Sequence, residues 1–181
     1  MKKIEEFFQT NYPKAIELKK QFRVLEKKEW DETTILAELT IQVSHLYNVI
    51  FSDPAVNEIG RNIHDLGDEI SDVLLQLWYL AYVENVDVTK INNYESYNYN
   101  KLSGVNILLG QLIECILEKN EYRFDKNRPG FNKPEEFIED RILKLFKLVS
   151  NFAESNLIDI NAEFEKMYED ATSFISKKVN E

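Results

Sequence analysis

The sequence predicts an all-α fold, and three observations carry that prediction. Five glycines and four prolines in 181 residues come to about 5%, where an average chain carries about 12%. So few turn-formers leave little room for the tight reversals of a sandwich or barrel. A chain 44% hydrophobic and 12% aromatic has ample side-chain area for a core, which argues against wholesale disorder. Most segments also space their apolar residues by three and four, the period of a helix buried on one face. The length fits one domain over 1–181, or one domain built from two similar halves.

Residues 3–28 read as one or two helices, with Pro13 tolerated in a first turn after Thr10–Asn11. Ile16, Leu18, Phe22 and Leu25 form a loose apolar stripe there. Asp31 or Thr33 is a suitable N-cap for a helix over 33–51. Its buried stripe is Ile35, Leu39, Val43, Leu46 and Ile50, and Ser52–Asp53–Pro54 ends it. A third helix over about 62–85 carries a wide apolar face from Ile63 to Ala81, as a bundle core requires. Asn92–Asn100 is polar and tyrosine-rich, hence a loop. Its Tyr94, Tyr97 and Tyr99 suit base stacking, loop packing or an oligomer contact. A fourth helix fits 101–119. The sharpest break is Lys126–Pro134, with two prolines, a glycine and three basic residues. Helices over 135–155 and 160–178 follow, the last capped by Asp159. The expectation is a bundle of five to six helices.

Charge and cysteine content narrow the function. A net charge of −10 argues against a duplex nucleic-acid binder, which needs a basic face. An anionic ligand would have to arrive with metal ions or meet a local basic cluster. The lone Cys115 cannot form an internal disulfide, which fits a reducing cytoplasm. It falls beside the fourth helix's apolar stripe and reads as a buried core thiol. The start, Met-Lys-Lys-Ile-Glu-Glu, lacks a signal peptide's apolar stretch. The longest apolar segment, Val73 to Val83, is about half the roughly 20 residues of a membrane helix. The expectation is a soluble cytoplasmic protein with no membrane partner.

Two halves of the chain share a pattern. Leu39-x-x-Gln42-x-x-His45 and Leu108-x-x-Gln111-x-x-Glu114 correspond at an offset of 69, and the runs after Asp72 and Asp140 at 68. Two similar helical hairpins would account for both, although any two amphipathic helices match this well.

The acids of the third helix carry the most chemical information. Asp65, Glu69 and Asp72 lie one turn apart on one helical face, where like charges repel by a few tenths of a kcal/mol per pair. A cation would remove that cost, since one or two carboxylates with phosphates and water suffice to hold Mg²⁺. The plain alternative is that acids in an early turn complement the helix macrodipole. The run Leu66-Gly-Asp-Glu69-Ile-Ser-Asp72 through Ala81, with Val86–Asp87 after it, resembles the all-α nucleoside triphosphate pyrophosphohydrolases of the MazG-like superfamily. Glu69-x-x-Asp72 matches that family's second acidic pair, and Trp30 looks like a feature of some members. The resemblance covers roughly 30–90, with 100–178 a faded second hairpin. It departs at the first pair, where Gln42-x-x-His45 stands in place of Glu-x-x-Glu and Glu38 lies one turn earlier.

The resemblance implies Mg²⁺-dependent hydrolysis, with Mn²⁺ a substitute, of a nucleoside triphosphate to the monophosphate and pyrophosphate. It makes Glu69 and Asp72 metal ligands, adds Glu38 and His45 to the ligand set, and gives Glu38 or His45 the task of orienting water. Gln42, with Lys126 and Arg128 of the basic loop, would meet the substrate. The family commonly assembles as dimers or tetramers, which implies a homo-oligomer. Two other expectations stand beside this one. The loss of two carboxylates suits a non-catalytic helical protein used for oligomerisation or partner binding. A histidine nitrogen suits a transition metal better than Mg²⁺, and His45 is equally at home as a hydrogen-bonded structural residue. His64, near a helix start, is expected in solvent.

Overall fold

A computed structural model of the chain describes residues 2–51, 60, 62–93, 102–122 and 134–179. Among these, six α-helices run in order: α1 (Lys2–Phe22), α2 (Glu32–Phe51), α3 (Leu66–Val83), α4 (Ser103–Lys119), α5 (Pro134–Ser155) and α6 (Ile160–Val179). Short 3₁₀ turns at Ile63–Asp65 and Val88–Asn93 flank α3. The all-α expectation holds, and no strand occurs among the described residues.

The helices start where side chains can serve their unpaired N–H groups. The Asp31 carboxylate accepts from the Thr34 N–H at 2.8 Å and from its hydroxyl at 2.8 Å, so Asp31 rather than Thr33 caps α2. Asp159 does the same for α6 through the N–H groups of Asn161 and Ala162. At the far ends, α3, α4 and α5 stop in one way. Asn85, Glu121 and Leu157 take left-handed φ of 55°, 61° and 59°. The following N–H then reaches back five residues, as from Ile158 to the Ala153 carbonyl at 3.0 Å, which is the Schellman arrangement.

Three boundaries differ from expectation, the first being that α1 ends at Phe22 and not near 28. α1 runs unbroken through Pro13, well past a first turn. The ring removes one backbone donor there, but the helix is held on both sides of it by buried Phe7, Phe8, Ala15 and Leu18. The third helix begins at Leu66, not near 62. Asn62 and Asp65 close a capping box: the Asp65 carboxylate accepts from the Asn62 N–H at 2.8 Å, and the Asn62 side chain from the His64 N–H at 3.0 Å. His64 is exposed, as expected.

The centre of the bundle is α3. Fourteen of its 18 residues are buried, and a helix apolar on all sides must be surrounded. Accordingly α1, α2, α5 and α6 all pack on it, while α4 packs on α5 and touches α2. Five rings from four helices meet at one point: Phe7 and Phe8 of α1, Trp78 of α3, Phe146 of α5 and Phe164 of α6, with neighbouring centroids 4.8 to 6.1 Å apart. Most pairs stand edge to face, the geometry that aromatic quadrupoles prefer. Gly67, in the first turn of α3, lets α6 approach, because a β-carbon there would overlap the Glu163 side chain. Cys115 is buried, and burial raises its thiol pKa.

At one end of the bundle the start of α2 meets the ends of α3 and α4 in a charged cluster. The Lys119 ammonium donates to Glu32 at 2.6 Å and to Glu84 at 2.9 Å, and the Asn120 amide also donates to Glu32. The two carboxyls are hydrogen-bonded to each other, so they share one proton. That bond, helped by Lys119 and Asn120, lowers Glu32 to about 2. Burial, with the same shared bond, raises Glu84 to about 7.

Candidate functional site

The residues singled out in the sequence divide between two adjoining places. The first is buried. Glu69 is fully buried, and its Oε2 lies 3.9 Å from Nδ1 of His45 across the α2–α3 interface. Along α2, one turn separates each of Glu38, Gln42 and His45, so their side chains link. Gln42 Nε2 donates to Glu38 at 2.8 Å, and His45 Nδ1 lies 3.3 Å from Gln42 Oε1. A carboxylate only accepts, so the amide must turn its NH₂ to Glu38 and its oxygen to His45. His45 must then donate from Nδ1, the nitrogen that also faces Glu69.

The second place is a cleft of about 810 Å³ bounded by the turn after α1 and by α2, α3 and α6. Glu38 and Gln42 line it from α2, and Asp68 and Asp72, one turn apart, line it from α3. Glu26 and Asp170 add two further carboxyls, against the single lining cation Lys178. Its other wall is aromatic, with Trp30 and Tyr79. The Lys19 ammonium stands 4.8 Å from the centre of the Tyr79 ring and 5.5 Å from that of Trp30, a pairing that ring quadrupoles favour. Burial lowers the Lys19 pKa, with Glu26 and Glu29 opposing it. Tyr79 is raised by burial first and then by the charges of Glu26 and Asp72.

Two polar atoms of this wall are buried without a partner: the Tyr79 hydroxyl and Gln76 Oε1. Such orphans cost about 1–3 kcal/mol each, and both belong to residues lining the cleft.

The four expected metal-site residues divide between these two places. Glu38 and Asp72 line the cleft, whereas Glu69 and His45 meet in the core behind it. Among the described residues, no group of three or more His, Cys, Asp or Glu side chains is placed to hold a metal ion. His45 Nδ1 bears a proton in this network and has no lone pair to offer, which leaves only Nε2 for a metal. Asp65 is engaged in the capping box. Gln42 lines the cleft. Lys126, Arg128 and the tyrosines of 94–99 lie outside the described residues.

Asp68, Tyr79, Asp170 and Lys178 were not among the expected site residues. Asp68 was within reach, since it sits at i−4 from Asp72. The α6 residues carried no such signal, because only packing brings α6 beside α3. No family model, curated protein or solved structure gives a significant match to the chain. Among the described residues, no helix is long and apolar enough to cross a membrane.

Proposed function

We propose that the cleft binds a nucleoside triphosphate with a divalent cation and hydrolyses it to the nucleoside monophosphate and pyrophosphate. The observation that carries this reading is that Glu38 of α2 and Asp68 and Asp72 of α3 open onto one cavity with an aromatic wall. Hard carboxylate oxygens suit Mg²⁺ or Mn²⁺, and Mg²⁺ needs only one or two of them when phosphates and water complete its shell. The residues thus fit a cation that arrives on its nucleotide better than a resident, fully caged ion. Such an ion would neutralise phosphate charge and acidify bound water.

Asp68 and Asp72 take the role of holding the metal–phosphate group. Glu38, tied to Gln42, orients the attacking water and receives its proton as the water oxygen bonds to the α-phosphorus and the α–β bridging oxygen departs with pyrophosphate. Trp30 and Tyr79 offer aromatic surface to the nucleoside. Glu69 acts from behind, fixing His45 and through it the amide of Gln42. Pyrophosphate release is the assay, run with Mg²⁺ or Mn²⁺ and each NTP and dNTP. Turnover that Asp72→Asn and Glu38→Gln abolish supports the reading, and no turnover with any nucleotide overturns it.

A second reading has its own supporting observation: a neutral amide and a ring N–H fill the place of two carboxylates in α2. A non-catalytic helical protein, assembling with its own copies or another partner in the cytoplasm, would keep this fold without the chemistry. A ligand that binds only the native state must raise the melting temperature. An unchanged melting temperature in millimolar Mg²⁺ plus nucleotide favours this second reading, and sedimentation reports the oligomer.

A further inference from the structure

We propose that the groove between α4 and α5 is a binding site for a small organic anion, with Lys147 holding its acidic head. The groove encloses about 200 Å³ and is lined by Ile107, Leu108 and Gln111 of α4 and Lys144, Lys147 and Leu148 of α5, among others. Lys147 is 6% exposed, and among the described residues its ammonium has no hydrogen-bond or ion-pair partner. The alkyl stem is packed away while the ammonium keeps access to the groove. An uncompensated positive charge therefore faces the cavity, and an anion would complete the site.

The surroundings fix the class of ligand. Lys144, held by Asp140 at 2.8 Å, presents a second cation to the same groove, and the Gln111 amide adds a donor. Ile107, Leu108 and Leu148 form an apolar floor. A carboxylate or phosphate head on a short apolar body matches that division, and the cavity is smaller than the clefts that take drug-sized molecules.

The chain's internal correspondence points to the same groove. At the offsets of 69 and 68, Gln111 answers to Gln42, Ile107 to Glu38, Lys144 to Gln76 and Lys147 to Tyr79, and all eight residues line a groove. The two hairpins thus carry grooves at matching places, one acidic and one basic. The site lies apart from the proposed nucleotide cleft and does not depend on it.

Hexanoate and inorganic phosphate are the probes, titrated into the full chain by calorimetry and by amide chemical shifts, with sodium chloride at equal ionic strength as reference. Saturable binding with shifts centred on α4 and α5 is expected. It should weaken about tenfold or more in Lys147→Met and Lys147→Gln, since charge-assisted hydrogen bonds contribute about 1.5–3 kcal/mol. Lys166→Met, at an exposed site on α6, should bind as the natural chain does. Hexanoate stronger than phosphate assigns the head to a carboxylate, and the reverse order to a phosphate. The proposal is overturned if neither probe binds above the chloride reference, or if both Lys147 variants, folded by circular dichroism, bind unchanged.

Discussion

Replacing Glu84 with glutamine isolates the charged cluster at the end of the bundle and should change how stability depends on pH. In the native chain Glu84 keeps its proton to about pH 7, whereas an unfolded glutamic acid releases it near 4.5. A group with a raised native pKa stabilises below its unfolded pKa, and that stability drains away as pH rises to the native pKa. The natural protein should therefore lose stability from this cluster between pH 4.5 and 7. Glu32 works in the opposite sense: its pKa is lowered to about 2, so its contribution is lost only as pH falls from 4.5 towards 2.

A wholly dry carboxyl moved this far would give roughly 3 kcal/mol. Glu32 is 15% exposed and lines a surface cleft, so solvent screening brings the expected effect down to about 1 kcal/mol. Glutamine keeps the geometry, donating its NH₂ to Glu32 and accepting from Lys119, but has no proton to lose. Urea unfolding of both proteins at pH 4.5, 5.5, 6.5 and 7.5 gives the difference directly, and every other titrating group cancels. The variant should gain on the natural chain by about 1 kcal/mol across that range at constant m-value. A difference that stays flat with pH would mean that the two carboxyls do not share a proton.

Three further outcomes follow from local geometry. Leu157 is 95% exposed with a φ of 59°, so Leu157→Gly should raise stability by about 1 kcal/mol by relieving a left-handed, β-carbon-bearing cap, and a lower melting temperature would contradict this. Asp31→Ala removes the acceptor of both Thr34 hydrogen bonds and should cost about 1 kcal/mol, read by thermal or urea unfolding. Trp78→Ala empties the centre of the five-ring cluster and should cost about 3–5 kcal/mol. An equal loss for Trp30→Ala would show that the cluster has no special part in the core.

How far the sequence reaches is clear from individual residues. Periodicity locates α2, α4, α5 and α6 to within a few residues because their buried faces repeat every three or four positions. Asp31 and Asp159 mark helix starts because a cap is a local event. Pro13 misleads for the converse reason, since packing of Phe7, Phe8, Ala15 and Leu18 outweighs the missing donor. The site is legible only in part. The spacing of Glu38, Gln42 and His45 shows that they share a face of α2, and it places Asp72 and Glu69 on α3. It does not show that α3 turns Asp72 to the cleft and Glu69 into the core. That division depends on how α2 lies against α3, to which α6 contributes through Glu163 over Gly67. Lys147 illustrates the same limit. A lysine in an amphipathic helix reads as a solvated residue, and only tertiary packing turns it inward.

The five-ring cluster sets the order in which this chain can finish folding. Phe7 and Phe164 come from opposite ends of the chain, and their rings sit 6.1 Å apart. The pairings of α2 with α3 and of α4 with α5 close over short stretches and can form early, but the slot around Trp78 stays open until both ends return to it. Closure across so long a loop is entropically late. During synthesis Phe7 and Phe8 are made well before α6, so the nascent chain presents a sticky pair of rings until α6 follows. Loss of α6 would prolong that exposure indefinitely, and aggregation is the expected fate of a chain cut short before it.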